Sequence, residues 1–200
     1  KHTKVTEKTI FGIASLTKTF TANLAAIAAA QNIYDLNKPI TNYIPQLYKN
    51  PYYDKVNSVD LLTHVSNIPF KLLSTDTKSD LINSLNSVKY SSNPEKIYKY
   101  SNPGISLVGM TLEVVYKQDY QTILKKQLLD KLDMHYTFVD VPEKYRYLMS
   151  MEFNNDNKQL PLTKFGALTP GGGLRSNTED LAKYVKYQMH LDGNNDAVLN

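Results

Sequence analysis

Ser15 and Lys18 are the residues whose types and spacing point most directly to chemistry. They stand three positions apart in "FGIASLTKTFTANLAAIAAA", residues 11–30, so at helical spacing both side chains lie on one face. A serine hydroxyl becomes a good nucleophile when a base takes its proton. A lysine amine can be that base where desolvation or nearby positive charge favours its neutral form. The positive end of the helix dipole and the backbone N–H groups there would help to hold an oxyanion.

The alternative is a capping serine followed by a surface lysine, which is a common arrangement. The looser T-x-x-K pattern occurs at Thr75 and at Thr122, but Ser15-Lys18 is the single S-x-x-K of the chain. The helix that follows is apolar on every side, which predicts burial. Lysine is rarely fully buried. A lysine at the start of such a helix therefore needs a partner or a chemical role.

Tyr100 and Asn102 form a second candidate element, a Y-x-N immediately before another apolar segment. A tyrosine hydroxyl near Lys18 could relay protons to a leaving group, and an asparagine amide could bind a substrate carbonyl and hold the lysine. Taken alone, the pattern is weak, because Tyr48-x-Asn50 matches it as well. The alternatives are a half-buried aromatic residue for Tyr100 and a helix cap for Asn102.

The elements that must position these residues are mostly helical. Residues 1–14 look like a strand end or an extended lead-in, and the first helix is predicted over 15–32. Ser58 is predicted to cap a short helix, and Ser176, with Glu179 three residues later, predicts a capping box. Residues 139–170 are poor in helix signals and are expected to include a small pair of strands. The chain is thus predicted to hold about six helices and little strand.

Composition excludes several classes of function. The chain has 200 residues, a net charge of +4 and no cysteine, which rules out disulfides, thiolate metal sites and a cysteine nucleophile. The lysines are scattered, so nucleic acid is not an expected partner. No run is long enough to span a membrane. His2, His64, His135 and His190 lack metal-ligand spacing, and no cofactor or metal is expected. The oligomeric state stays open.

Five segments, in order along the chain, carry a family resemblance. They are "FGIASLTKTFTA", "VDLLTHVSNIPF", "PEKIYKYSNPGISLVGMTLEVV", "KLDMHYTF" and "GALTPGGGLRSNTEDLAKYV". On these segments the chain resembles the serine β-lactamase and penicillin-binding family, specifically the class C β-lactamase branch with its related DD-peptidases and esterases. The likeness covers most of the 200 residues.

The resemblance implies a role for each matching residue. Ser15 would be the acylated nucleophile, with its backbone N–H forming half of the oxyanion hole, and Lys18 would activate it. Tyr100 would share the proton transfers, and Asn102 would position Lys18 and bind the substrate amide. His64 falls in the "LLTH" segment, where a structural role is expected. Residues 171–173, all glycine, are expected to permit close backbone packing near the site.

Two departures from the family pattern matter. "SNIP" stands where the family usually has "SGLP", so Asn67 is expected to adopt the left-handed conformation. The family's third element, a K-T-G or H-x-G on a strand facing the nucleophile, is absent from these residues. The implied fold is therefore α+β: mainly the helical lobe, with most of the antiparallel sheet missing. Residues 1–200 are expected to be one domain, apparently truncated at both ends, with 15–32 as the nucleophile helix and 33–200 as the helical lobe.

The function implied is that of a serine hydrolase working through a covalent acyl-enzyme, with a class C-like β-lactamase favoured. A DD-peptidase, a penicillin-binding protein or an esterase of the same fold is the alternative, with peptidoglycan-like or ester substrates. A non-catalytic binding or scaffold relative is a further alternative, favoured by the missing third element. The resemblance also implies a periplasmic or secreted protein.

Overall fold

The computed structural model describes residues 4–91 and 95–191, and it is α+β with helices dominant. Residues 1–3, 92–94 and 192–200, with His2 and the ends of the expected lead-in and lobe, lie outside the described residues. The α-helices are α1 (Thr17–Ala30), α2 (Ser58–Leu62), α3 (Lys78–Asn86), α4 (Asn102–Tyr116), α5 (Tyr120–Leu124), α6 (Thr169–Gly172) and α7 (Thr178–Gln188). The strands are β1 (Phe11–Gly12), β2 (Glu152–Phe153), β3 (Gln159–Leu160) and β4 (Arg175–Ser176).

The strands form two short antiparallel pairs. β1 pairs with β4, with Phe11 opposite Ser176 and Gly12 opposite Arg175. This pairing continues in a hydrogen bond from the Ile13 N–H to the Leu174 carbonyl, 2.9 Å, which brings the chain before Ser15 against the glycine-rich segment. β2 pairs with β3. The second pair confirms the small pair of strands predicted within 139–170.

Helix α1 lies in the core, but it begins later than predicted and keeps one exposed strip. Ala14–Leu16 form a 3₁₀ turn, and the α-helix starts at Thr17. The buried residues are Thr17, Lys18, Phe20, Thr21, Leu24, Ala25, Ile27 and Ala28. Thr19, Ala26 and Ala30 face solvent, so the expectation of burial on every side was wrong. Alanine and threonine expose little apolar surface, so this strip costs little free energy.

Helix α4 packs against both α1 and α6. Its N-terminus is capped by Ser101, whose Oγ accepts a hydrogen bond from the Gly104 N–H at 3.0 Å. Gly109 allows a close approach to α6, because a Cβ added there would lie 2.5 Å from Pro170 Cβ. The contact therefore fixes the spacing between the helix that follows Tyr100 and the helix that carries Gly171.

Two predicted caps are displaced by one residue. Asn57, not Ser58, caps α2 and forms a capping box with Asp60. Asn177, not Ser176, caps α7 by accepting a hydrogen bond from the Asp180 N–H. The two serine hydroxyls have other partners, Tyr34 for Ser58 and Thr137 for Ser176. An asparagine beside each serine is an equally good cap.

The loop after α2 contains two residues in the left-handed conformation. Asn67 has φ 56°, which confirms the expectation from the "SNIP" departure. His64 has φ 60°. Asparagine and histidine are among the non-glycine residues found there most often.

Candidate active site

The side chains of Ser15, Lys18 and Tyr100 meet at the start of α1. The Tyr100 hydroxyl lies 2.5 Å from Ser15 Oγ, and either group could donate that hydrogen bond. Lys18 Nζ donates to the same Ser15 oxygen at 3.1 Å. Nζ also lies 4.7 Å from the centre of the Tyr100 ring. A hydroxyl, an amine and a phenol are thus joined, although Tyr100 lies 85 positions from Ser15.

Ser15 is held on a strained turn that presents it to solvent. It is the middle residue of the 3₁₀ turn before α1, and its side chain is exposed. Ala14, immediately before it, has φ 43°, a left-handed conformation that is costly for a residue with a Cβ. Strain of this kind persists only where the surrounding structure enforces it, and it clusters at functional sites.

Lys18 is buried, and its hydrogen-bond partners are uncharged oxygens. Apart from Ser15, its Nζ donates to the Gly171 carbonyl at 2.5 Å. Gly171 packs closely against α4, because a Cβ added there would lie 3.0 Å from the Asn102 carbonyl oxygen and 3.3 Å from Ser106 Oγ. This carbonyl is a functional group that the sequence analysis missed. The glycine run indicated close packing, but nothing in it indicated which carbonyl would face the lysine.

The electrostatics of the cluster favour proton transfer through Tyr100. Partial burial by itself would raise the pKa of the Tyr100 phenol. The nearby Lys18 amine and the Ser15 hydroxyl, together with the charge of Lys18, outweigh burial and place that pKa below its usual value. A lowered pKa makes the phenolate of Tyr100 more accessible, and a phenolate in hydrogen-bond contact with a serine hydroxyl is well suited to accept and return the proton of that hydroxyl.

Asn102 lies in the first turn of α4, next to Gly171, but it does not hold the lysine as expected. The hydrogen bonds of Lys18 Nζ go to Ser15 and Gly171. The Asn102 Oδ1 is buried and has no hydrogen-bond partner. A buried acceptor without a partner is costly, and such an atom commonly has a functional explanation.

The described residues show no metal site and no membrane-spanning helix. Within 4–91 and 95–191, no group of three His, Asp or Glu side chains is arranged to hold a metal ion. Over the same ranges, no helix is both long enough and apolar enough to cross a bilayer.

Comparison with known proteins gives the family. The family model described as "Beta-lactamase" matches residues 1–199. The chain belongs to the β-lactamase family. It is 28% identical to a β-lactamase of Providencia stuartii over 92% of this chain and 48% of that protein. It is 29% identical to a β-lactamase of Pseudomonas fluorescens over 93% of this chain and 52% of that protein.

A solved structure supports the same assignment at the level of the fold. A class C β-lactamase in complex with cefoxitin is 26% identical, with a TM-score of 0.87, over 94% of this chain and 53% of that one. The family resemblance and the α+β fold class are confirmed. The chain spans about half the length of the curated relatives that it matches.

Proposed function

We propose that this chain carries the nucleophile of a serine hydrolase that opens the amide of a β-lactam through a covalent acyl-enzyme. The observation that carries the proposal is the contact of Ser15 Oγ with both Lys18 Nζ and the Tyr100 hydroxyl. Neither partner alone would distinguish catalysis from packing. The two together give the hydroxyl a proton acceptor and a neighbouring cation.

Acylation would proceed in two steps. Ser15 Oγ attacks the lactam carbonyl carbon, and its proton passes to the Lys18–Tyr100 pair. The tetrahedral adduct collapses as the carbon–nitrogen bond breaks, and Tyr100 returns the proton to the leaving nitrogen. The product is an ester on Ser15. Water then attacks this ester, releases the opened acid and restores the serine hydroxyl.

Two further groups are proposed to bind the substrate. The backbone N–H of Ser15 would supply one oxyanion donor, and the unpartnered Asn102 Oδ1 would accept a hydrogen bond from an amide N–H of the substrate. No K-T-G or H-x-G occurs in the 200 residues, so the second oxyanion donor is not assigned to any of them. A donor of this kind is worth about 100-fold or more in rate.

The competing functions differ in the fate of the acyl group. Fast hydrolysis of the ester makes a β-lactamase, whereas slow hydrolysis makes a penicillin-binding protein. A DD-peptidase or an esterase would use the same residues on a peptidoglycan-like or ester substrate. A scaffold relative would form no ester at all. Export to the periplasm or cell surface is proposed on the family assignment alone.

The experiment measures the turnover of a cephalosporin and the intact mass of the protein after exposure to a penicillin. The protein, Ser15→Ala and the control Ser79→Ala, an exposed serine on α3, are incubated with a chromogenic cephalosporin and with a penicillin. We expect turnover by the protein and the control and none by Ser15→Ala. A stable penicillin adduct on Ser15 without turnover would assign a penicillin-binding protein instead. Absence of both adduct and turnover would contradict the proposal.

A further inference from the structure

His64 makes two hydrogen bonds to the backbone on either side of Tyr100. The Lys99 N–H donates to the His64 carbonyl at 2.6 Å. The Ser101 N–H donates to His64 Nδ1 at 3.2 Å. Because Tyr100 lies between these two amides, a single residue fixes the chain just before and just after the phenol.

His64 is itself fixed to α2, a helix with one buried face. It follows α2, and its N–H donates to the Leu61 carbonyl at 3.3 Å, while the next residue, Val65, donates to the Asp60 carbonyl at 2.9 Å. Leu61 is fully buried. The left-handed backbone of His64 turns its carbonyl and its ring toward the segment that carries Tyr100. The two hydrogen bonds from residues 99 and 101 therefore fix that segment relative to α2.

The ring of His64 also packs on the phenol. Its centre lies 4.6 Å from that of Tyr100 and 5.9 Å from that of Tyr98. A neutral imidazole that accepts a hydrogen bond at Nδ1 carries its proton on Nε2. Protonation of Nδ1 would turn this acceptor into a donor facing another donor, the Ser101 N–H, and the hydrogen bond would be lost.

We infer that His64 is a positioning residue for Tyr100, and that its neutral form with the proton on Nε2, which leaves Nδ1 free to accept, is required to hold the phenol against Ser15. The inference extends the proposed function, since Tyr100 matters only where Ser15 reacts. His64 packs against the Tyr100 ring, and its hydrogen bonds go to the backbone of Lys99 and Ser101 rather than to Ser15.

The surroundings of His64 keep it neutral. Burial lowers the pKa of the imidazole, and the positive charge of Lys18 lowers it further. The titratable groups around the ring are Lys18 from α1 and the two phenols, Tyr98 and Tyr100, from the facing segment. Asp60, four residues earlier, is paired with Lys96 at 2.7 Å. The hydrogen bond to Ser101 is thus intact at neutral pH and lost as the pH falls below the imidazole pKa, which itself lies below 6.5.

Two substitutions separate positioning from packing. In His64→Asn, the side-chain oxygen takes the place of Nδ1 as an acceptor that does not titrate, and asparagine tolerates the left-handed backbone. In His64→Phe, a ring remains beside Tyr100 but the acceptor is gone. We expect Asn to preserve the position of Tyr100 and Phe to disturb it.

The first measurement is independent of activity. In NMR spectra of the protein, the Ser101 amide and the Tyr100 Cζ signals, the latter assigned with Tyr100→Phe, are followed against pH together with the His64 ring. Both signals should titrate with the imidazole in the wild type and stay constant over that range in His64→Asn. Titration of the ring without movement of either signal would overturn the inference.

The second measurement is the rate of Ser15 acylation by a penicillin under single-turnover conditions. His64→Phe should lower the saturating rate constant about tenfold or more while leaving the penicillin dissociation constant unchanged, because misplacing a catalytic group by a fraction of an ångström is that costly. His64→Asn should retain the wild-type rate at neutral pH and exceed it once the pH falls below the lowered imidazole pKa of the wild type. Equal pH profiles for the wild type and Asn would contradict the inference. Failure of the wild type to acylate, with the NMR coupling intact, would refute the proposed function and leave the positioning of Tyr100 supported.

Discussion

Gly171→Ala offers the sharpest test of the link between packing and chemistry at this site. The carbonyl of Gly171 accepts a hydrogen bond from Lys18 Nζ at 2.5 Å. A Cβ on this residue would lie 3.0 Å from the Asn102 carbonyl oxygen, which belongs to the backbone of α4, and 3.3 Å from Ser106 Oγ. The hydroxyl can rotate away, whereas the backbone oxygen moves only with its helix. The new methyl group must therefore push α6 away from α4.

The size of the effect follows from these distances. The contact of 3.0 Å is a few tenths of an ångström too short, so the Gly171 carbonyl must shift by about that amount. Overpacking of this kind costs about 1–3 kcal/mol of folding stability. The change at Lys18 is more telling, since a shift of up to an ångström in a catalytic group costs up to about 100-fold in rate. We expect Ser15 acylation to slow about tenfold or more in a protein that still folds.

The assay is single-turnover acylation by a penicillin, read by intact mass, alongside thermal unfolding. Gly172→Ala is the matched control, because its Cβ would meet the Phe165 ring at 3.0 Å, a side chain that can turn aside, and Gly172 makes no hydrogen bond to Lys18. The control should lose stability to a similar or smaller extent while keeping its acylation rate. Wild-type acylation by Gly171→Ala, with the expected loss of stability, would refute the assignment of this carbonyl as the group that holds Lys18.

Two other predictions concern stability. Gly109→Ala should lower the free energy of unfolding by about 2 kcal/mol or more, because its Cβ would overlap Pro170. This loss exceeds the gain of about 1 kcal/mol by which alanine is favoured over glycine in a helix. Gly12→Ala, whose Cβ has no neighbour nearer than 3.9 Å, is the control, and equal melting temperatures of the two variants would contradict the prediction. Asp180 is buried, and burial raises the pKa of its carboxyl above 3.8. Ionisation of this carboxyl is therefore less favourable in the folded protein than in the unfolded chain. The free energy of unfolding of the wild type should fall as the pH rises from 3.8 through that raised pKa. Asp180→Asn should remove this part of the pH dependence, measured by denaturant titrations at several pH values. Parallel plots of unfolding free energy against pH for the wild type and Asp180→Asn would contradict the prediction.

That Ser15, Lys18 and Tyr100 belong to one candidate site could be predicted from the sequence, because residue types and spacing indicate each of them. Ser15 and Lys18 carry the S-x-x-K spacing, and Tyr100 precedes an apolar segment in an ordered set of family segments. The strand pair within 139–170 and the left-handed Asn67 were also predictable, because turn residues and a missing glycine are local signals. These features depend on a few neighbouring side chains.

Other features of the site could not be predicted, because they depend on backbone atoms placed by distant contacts. The acceptor for Lys18 is a carbonyl of Gly171, 153 residues away, and every residue has a carbonyl. The two hydrogen bonds of His64 likewise involve main-chain amides, whose partners only the packing of α2 decides. The shifted caps have a different cause, since asparagine and serine stand side by side and each serine hydroxyl is taken by a tertiary partner.

The glycines of α4 and α6 define the site as much as its polar residues do. Gly109 lets α4 approach Pro170, and Gly171 lets α6 approach Asn102, so the two helices are in contact at both places. Tyr100 lies just before α4, and the carbonyl that holds Lys18 lies on α6. The distance between these helices therefore sets the distance between the phenol and the lysine's acceptor. Because packed helices have few alternative spacings, we expect a methyl group in this contact to alter the geometry around Ser15 without touching it.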